Sequence, residues 1–182
     1  MKTKLCLTAI VVLMCVLLVY QPAHSGVSSD ELGRMLLRSN YEGPPTLGYN
    51  VYYEKGPLAS GKKGGWHPGI DYRARKPLDV YSPVNGVIDS FDKEGSGFGR
   101  VSVKIDGTND YFIFLHLSKV KVSKGQKVKT GETIIGKTGD IGAKGSPHLH
   151  VEARRGKSLA AYYFESKNNT GVNKDPASVV NR

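Results

Sequence analysis

Cysteine is nearly absent from this chain, and the two that occur stand close to the N-terminus. Of the 182 residues only Cys6 and Cys15 are cysteines, and both lie in an apolar segment that ends near residue 20. A domain made from the rest of the chain contains no disulfide and no nucleophilic cysteine. Its stability has to come from a hydrophobic core, for which the roughly 157 residues after position 25 are enough.

Long hydrophobic runs are also missing, except at the N-terminus. Leu5 to Tyr20 is almost unbroken apolar sequence behind Lys2 and Lys4, and Ala23-His24-Ser25 offers small residues to a signal peptidase. At about 16 residues, the run is shorter than the roughly 20 that a membrane span needs. We therefore predict a signal peptide over residues 1–25. The mature chain is then exported to the periplasm, cell wall or extracellular space without stable membrane insertion, and a retained anchor is the alternative.

Acidic residues are outnumbered, with 16 Asp and Glu against 26 Lys and Arg, so the formal net charge is +10. Loss of Lys2 and Lys4 with the signal peptide takes this from +10 to +8. A basic exported domain suits a polyanionic surface such as a bacterial cell wall. The chain has no interleaved basic and aromatic motif and no basic helix, so nucleic acid is not expected as a partner. A merely soluble surface is the plainer explanation of the charge.

The first pattern after residue 25 is that of a short helix from Ser28 to Ser39. Ser28 or Ser29 can cap it, and the acidic residues that follow favour its N-terminal end. Apolar residues recur at helical spacing, namely Leu32, Met35 and Leu36. Residues 26–48 therefore form a lead-in segment that is too small for a second domain.

Residues 49–165 carry a strand pattern punctuated by glycine. Val101–Ile105 alternates between apolar and polar residues, 106–110 is rich in turn-forming residues, and 111–117 reads as a second strand, which together predict a hairpin. The spacing of the other short segments predicts a mainly β domain, with an antiparallel β-sheet folded on itself. Residues 166–182 form a polar tail that is expected to lie along the surface or to be loose.

Two of the four histidines after residue 25 stand in Ser146-Pro147-His148-Leu149-His150-Val151-Glu152. On a strand, His148 and His150 point the same way with Cα atoms about 7 Å apart. Two imidazoles at that spacing can serve one metal centre as ligand and neighbour. Glu152 shares their face, where it either orients a ligand or forms a partly exposed salt bridge.

The other two histidines lie in segments that read as partners for this strand. In His67-Pro68-Gly69-Ile70-Asp71, the Pro-Gly pair argues against a helix and for a bend that brings His67 and Asp71 together. Taken alone, this pattern also occurs in ordinary surface turns. His116 stands near the end of an apolar strand, where a histidine is more often a satisfied core residue than part of a site.

Together these segments supply two imidazoles and one carboxylate, which can hold zinc with a position open for water, and two further histidines. The further pair can take a proton from the water and hydrogen-bond a developing oxyanion. Spacing alone leaves open which histidine of the His148–His150 pair is the ligand. The sequence lacks H-E-x-x-H and G-x-S-x-G, which excludes the helical zinc proteases and the nucleophile-elbow hydrolases.

Three segments resemble, in order, the motifs of the lysostaphin-type (LytM-like) zinc metallopeptidases. They are Trp66-His67-Pro68-Gly69-Ile70-Asp71-Tyr72, Phe114-Leu115-His116-Leu117 and Ser146-Pro147-His148-Leu149-His150-Val151-Glu152. The resemblance runs from about Gly65 to Arg154. It implies that His67, Asp71 and His150 bind one Zn²⁺ per chain, and that His116 and His148 assist catalysis.

The family resemblance also implies an open-ended groove in the sheet and an endopeptidase that cuts peptide bonds in the stem or cross-link peptides of peptidoglycan. A monomer is expected. Lysostaphin-like members carry a tyrosine a few residues before the first histidine, whereas here Gly61 to Gly65 fills that stretch and Tyr53 is the nearest tyrosine upstream. This departure favours the general family role, cleavage of peptidoglycan peptides, over that of an endopeptidase specialised for pentaglycine.

Two other functions compete with the enzyme. Some family members have lost their ligands and regulate cell-wall amidases, but all five site positions are intact here. Residues 83–138 also resemble the half-barrels that carry biotin or lipoate. No lysine there has the expected flanking methionines, and a carrier leaves the histidines unexplained.

Overall fold

The computed structural model describes residues 26–75, 77–167 and 171–180. The predicted signal peptide, residues 1–25, lies outside the described residues. Within the described part, none of the helices has the length and apolar character needed to cross a membrane.

A short helix, α1 (Ser29–Leu37), packs against the β domain. Ser28 caps it, since its Oγ accepts a hydrogen bond from the Glu31 amide at 3.1 Å. One side of the helix is fully buried through three leucines, Leu32, Leu36 and Leu37. Burial of each such side chain stabilises the fold by roughly 1.5–3 kcal/mol. The helix is therefore part of the core, and it ends two residues earlier than predicted, in a 3₁₀ turn.

In the described part of the chain, the strands build one large and two small antiparallel sheets. In chain order they are β1 (Tyr52–Pro57), β2 (Lys63–Trp66), β3 (Ile70–Arg73), β4 (Asp79–Tyr81), β5 (Gly86–Phe91), β6 (Val101–Ile105), β7 (Asp110–Leu115), β8 (Lys119–Val120), β9 (Lys127–Val128), β10 (Ile134–Lys137), β11 (His148–Arg155) and β12 (Asn173–Lys174). The large sheet has the order β12-β11-β7-β6-β5-β9, with β3 also paired to β11. This mainly β, antiparallel architecture confirms the predicted fold class.

Strand β11 is the centre of the large sheet. One edge of β11 pairs with β7, while the other edge pairs first with β3 and then with β12. Its apolar residues Leu149, Val151 and Ala153 are fully buried. Leu149 and Val151 belong to the main core cluster together with α1 and β6. The alternate residues of β11 are left to face the other side of the sheet.

A separate hairpin, β1–β2, stands beside the large sheet and is extended by a later segment. The Phe164 amide donates to the Trp66 carbonyl at 2.9 Å, and the Trp66 amide donates back at 2.9 Å. The Tyr163 amide donates to the Pro57 carbonyl at 3.1 Å. These bonds anchor one end of the segment Ser158–Phe164, which we call the wall segment.

The predicted hairpin from Val101 onward is present as β6 and β7, joined by a turn at residues 106–109. The tail differs from the expectation of a loose or surface segment. Asn173–Lys174 pairs with β11, and Ala177 and Val180 are buried in the core cluster. The sequence did not indicate these contacts, because the tail is mostly polar and its few apolar residues do not recur at a regular period.

Candidate active site

Two neighbouring strands place Asp71 and His150 opposite each other. Asp71 of β3 and His150 of β11 are direct partners in the antiparallel register. The next pair along, Tyr72 with Leu149, points into the core, where both side chains are fully buried. Side chains alternate along a strand, so burial of that pair sends Asp71 and His150 to the opposite face.

His67 reaches the same place from the bend before β3. The predicted bend at Pro68 and Gly69 is present. A Cβ atom at Gly69 would collide with the Val151 carbonyl oxygen and the His150 ring, so only glycine lets the chain pass this close to β11. His67 is completely buried, and its Nδ1 lies 3.0 Å from the Gly48 carbonyl oxygen. Because a carbonyl only accepts, Nδ1 donates and Nε2 is left free.

Three ligand-type atoms converge at this point. His67 Nε2 lies 3.0 Å from His150 Nδ1 and 3.3 Å from Asp71 Oδ1, and Asp71 Oδ1 lies 2.7 Å from His150 Nδ1. A tetrahedral zinc site with ligand bonds of about 2.0 Å has ligand–ligand distances of about 3.3 Å. The observed triangle needs only a slight expansion to reach that size. The cluster therefore has the chemistry and dimensions to hold a metal ion.

The electrostatics of the cluster favour a cation. Burial disfavours the charged form of His150, but the hydrogen bonds and charges of Asp71 and Glu152 outweigh it and raise its pKa to about 10. Burial also acts to raise the pKa of Asp71, yet His150 and His67 hold that pKa well below its usual range. Positive charge between these carboxylates is thus stabilised, as metal binding requires.

The remaining two histidines lie next to the cluster. The ring centres of His116 and His148 are 4.5 Å apart, and His148 Nε2 lies 3.7 Å from Asp71 Oδ1. Each ring is fixed through Nδ1, which lies 2.7 Å from a main-chain carbonyl oxygen, that of Ile141 for His116 and that of Ser146 for His148. Both histidines therefore keep Nε2 as the free nitrogen.

His116 does not end its strand as predicted but follows it in a different conformation. Strand β7 stops at Leu115, and His116 has a φ of 63°, in the left-handed region. Its amide donates to the Phe98 carbonyl at 2.7 Å. Its side chain is buried, and burial, the largest influence, lowers its pKa to about 4. Left-handed geometry in a residue other than glycine is common at functional sites.

Glu152 resolves the choice that the sequence left open. It is fully buried, which excludes the partly exposed salt bridge, and its Oε1 lies 3.1 Å from His150 Nε2. The structure thus places it behind His150.

Tyr163 is a neighbour of the site that the sequence did not indicate. Its ring centre lies 5.2 Å from that of His67 and 6.0 Å from that of Tyr53. It reaches the first histidine from the wall segment, almost a hundred residues later in the chain. No periodicity or spacing links residues so far apart, so only the fold reveals the contact.

A cleft of about 480 Å³ opens over the cluster. Its lining contains Asp71 and the histidines at positions 116, 148 and 150, and small or aromatic side chains from three other parts of the chain. Those lining residues are Phe98, Gly142 and Ala143 from two loops, and Ala160, Ala161, Tyr162 and Tyr163 from the wall segment. The cleft can admit an extended peptide with small side chains beside the cluster.

Comparison with known proteins agrees with this geometry. Residues 65–162, more than half of the chain, match the profile of Peptidase family M23. The glycyl-glycine endopeptidase ALE-1 of Staphylococcus capitis is 32% identical over 125 residues, 65% of this chain and 33% of that protein. The peptidoglycan DD-endopeptidase ShyA of Vibrio cholerae is 37% identical over 87 residues, 47% of this chain and 20% of that protein. The chain thus spans a fifth to a third of the length of these relatives.

A solved structure shows the same fold. The crystal structure of a zinc-containing peptidase from Vibrio cholerae superposes with a TM-score of 0.53 and 27% identity, covering 68% of this chain and 36% of that one. The profile match includes all three histidine-bearing segments described above. The chain therefore belongs to peptidase family M23.

Proposed function

We propose that this chain is an exported, zinc-dependent endopeptidase that hydrolyses peptide bonds in the stem or cross-link peptides of peptidoglycan. The observation that carries the proposal is the convergence of His67 Nε2, Asp71 Oδ1 and His150 Nδ1 within 3.3 Å of one another at the base of a cleft. These three atoms would hold one Zn²⁺ and leave a fourth position open, as catalytic zinc sites do.

The bound metal would supply Lewis acidity, lowering the pKa of water and polarising the substrate carbonyl. His148 is placed to move the proton. Its Nδ1 is occupied by the Ser146 carbonyl, so Nε2 accepts the proton from the attacking water and later returns it to the leaving amine. Asp71, whose Oδ1 lies 3.7 Å from this nitrogen, stabilises the imidazolium that forms in between.

His116 lies next to His148, with the ring centres 4.5 Å apart. Its Nδ1 is held by the Ile141 carbonyl at 2.7 Å, which aligns the ring with Nε2 free. Both histidines line the cleft beside the metal ligands. We assign His116 to orientation of the water and substrate, and to the hydrogen bonding of charge that develops on the substrate.

The substrate assignment rests on the relatives and on the cleft. The names of two relatives describe a glycyl-glycine endopeptidase and a peptidoglycan DD-endopeptidase. The lining of small residues, Gly142, Ala143, Ala160 and Ala161, leaves room for a peptide with small side chains. Peptidoglycan peptides are therefore the proposed partner, with an anionic cell-wall surface as a second, charge-based contact for a monomeric enzyme. Export rests on the predicted signal peptide.

A matched pair of variants tests the site. His150→Ala should lose both zinc and peptidoglycan cleavage, because it removes a ligand. His148→Ala should keep zinc while turnover falls about 10²–10⁴-fold, the usual size of general acid–base assistance. The measurements are zinc stoichiometry and release of muropeptides followed by mass spectrometry, with circular dichroism to confirm folding.

The outcomes separate the competing functions. Loss of zinc by His148→Ala and retention by His150→Ala would reverse the two roles. Wild-type protein that binds zinc yet releases no muropeptide would favour a regulator of amidases. A folded wild-type chain that takes up no zinc would contradict the proposed function.

A further inference from the structure

Glu152 has two partners that belong to different parts of the active site. Its Oε1 lies 3.1 Å from His150 Nε2, and its two oxygens lie 3.2 and 2.9 Å from the Ala161 amide nitrogen. The side chain is completely removed from solvent. A buried carboxylate is costly unless its oxygens are hydrogen-bonded, so both contacts are needed to keep it there.

The first contact decides which nitrogen of His150 is free. A carboxylate has no proton to give, so Nε2 of His150 must be the donor. In the neutral ring, the form that binds a metal, the lone pair is then on Nδ1, the atom that lies 2.7 Å from Asp71 Oδ1 and 3.0 Å from His67 Nε2. Without an acceptor at Glu152, the imidazole is free to place its proton on Nδ1, where it blocks metal binding.

The second contact fixes the wall segment. Its backbone is held at three points by charged side chains from the large sheet and from the adjoining loop. Arg100 donates to the Ser158 carbonyl at 2.9 Å, Arg154 donates to the Leu159 carbonyl, and Glu152 accepts from the Ala161 amide. The residues after this last point, Tyr162 and Tyr163, line the cleft. The position of the cleft wall therefore depends on β11.

We propose that Glu152 is a positioning residue that couples the metal ligand His150 to the substrate-binding wall of the cleft. The Glu152 side chain selects the ligating nitrogen of His150 and also fixes the position of the Ala161 amide. The geometry of the metal site and the position of the cleft wall therefore depend on the same residue. The inference rests on the metal site of the proposed function. The competing explanation is that Glu152 forms an ion pair that only stabilises the core. In that case its substitution lowers the stability of the protein and leaves the zinc affinity unchanged.

Glu152→Gln is the sharpest substitution because it has nearly the same size and shape. The amide group offers one oxygen where the carboxylate offers two, so the His150 and Ala161 donors must share or lose an acceptor. We expect zinc affinity, measured by competition with a chelator, to fall about 10–100-fold. The KM for a soluble cross-linked muropeptide should rise in the same variant, while the circular dichroism spectrum stays that of the wild type.

Arg154→Met provides the matched control on the same strand. It keeps the aliphatic stem but removes the hydrogen bond to the Leu159 carbonyl, so it releases the wall segment while the hydrogen bond between Glu152 and His150 stays in place. We expect a rise in KM of a few-fold, in line with the loss of one hydrogen bond of about 1 kcal/mol, and unchanged zinc affinity.

Each other result overturns the inference. Wild-type zinc affinity in Glu152→Gln would show that the carboxylate does not select the nitrogen. An equal loss of zinc in Arg154→Met would show that any damage to β11 weakens the site. A lowered zinc affinity with an unchanged KM would show that ligand and wall are not coupled. A wild-type chain that binds no zinc would instead contradict the proposed function, which keeps the two failures distinct.

Discussion

His116 carries backbone strain at the edge of the cleft. With a φ of 63°, His116 adopts the left-handed conformation, which costs a residue with a Cβ atom roughly 1–2 kcal/mol. Among residues other than glycine, asparagine tolerates this conformation best. We therefore expect His116→Asn to be more stable than His116→Val by about 1–2 kcal/mol, although both lose the imidazole. Urea denaturation of the two metal-free variants measures the difference.

The same pair of substitutions at Lys127 is the control. Lys127 is exposed in strand β9, where valine is favoured over asparagine. The order of stability should therefore be reversed at Lys127. Equal stabilities of the two variants at position 116 would mean that the left-handed conformation is not retained in solution.

The raised pKa of His150 predicts how zinc affinity depends on pH. Below a pKa of about 10, the metal-free ring carries a second proton that zinc has to displace. Asp71 contributes no such proton, because its pKa is held well below its usual range. Apparent zinc affinity should therefore rise about tenfold per pH unit between pH 7 and 9. Chelator competition at several pH values checks this, and a flat profile would contradict it.

At this scale the sequence predicts which residues meet, but not how they are oriented. The structure brings His67, Asp71 and His150 together with His116 and His148 alongside, while their roles stay predictions. The choice of ring nitrogen depends on acceptors elsewhere in the chain, such as the Gly48 and Ile141 carbonyls. Those contacts leave no trace in spacing or periodicity.

The pairing of β3 with β11 depends on Gly69. Because a Cβ atom there meets the Val151 carbonyl, Gly69→Ala must push the two strands apart. We expect destabilisation by about 1–3 kcal/mol, the usual cost of overpacking, and weaker zinc binding, because Asp71 and His150 are register partners on these strands. Thermal unfolding and chelator competition measure the two effects.

Gly171→Ala is the control for this prediction. Among the described residues, no heavy atom lies within 4 Å of a Cβ built at Gly171, and its φ is not left-handed. It should be neutral or slightly stabilising. If Gly69→Ala behaves in the same way, the close approach of the two strands is not needed to form the site.

For helices and strands, prediction succeeded where the pattern was local and regular. The capped helix and the hairpin of β6 and β7 were predicted because their apolar residues repeat at a fixed period. The contacts of residues 173–180 and of the wall segment were missed because they depend on tertiary neighbours such as β11 and β2. A polar segment can still pack when a few of its residues find a place in the core.

For the whole molecule, the net charge is +10, and several of the lysines meet on the small sheet formed by β4, β10 and β8. Lys119 of β8 stands directly opposite Lys137 of β10, and both Lys121 and Lys137 share the single carboxylate of Asp79. Like charges opposite each other destabilise a sheet, whereas an anionic surface relieves their repulsion. Binding to purified sacculi should therefore weaken as salt rises, since exposed charges are screened beyond roughly 8 Å at physiological ionic strength.

Two double variants locate this effect. Lys119→Gln with Lys124→Gln removes two charges from the region of β8, and Lys55→Gln with Lys157→Gln removes two exposed charges elsewhere. The first pair should reduce sacculus binding more than the second. Equal losses would mean that total charge, rather than this face, sets the attraction, and binding indifferent to salt would contradict both.

Strand β11 packs the core with one set of residues and builds the site with the residues between them. A saturation mutagenesis scan should therefore show two alternating phenotypes, with lower protein abundance at Leu149 and Val151 and lower activity at normal abundance at His148. Gain or loss of a single codon within the strand would exchange the two sets and destroy both properties at once. Over evolutionary time, substitutions at the alternate, site-facing positions of such a strand can change the chemistry of the site, while the length of the strand stays fixed.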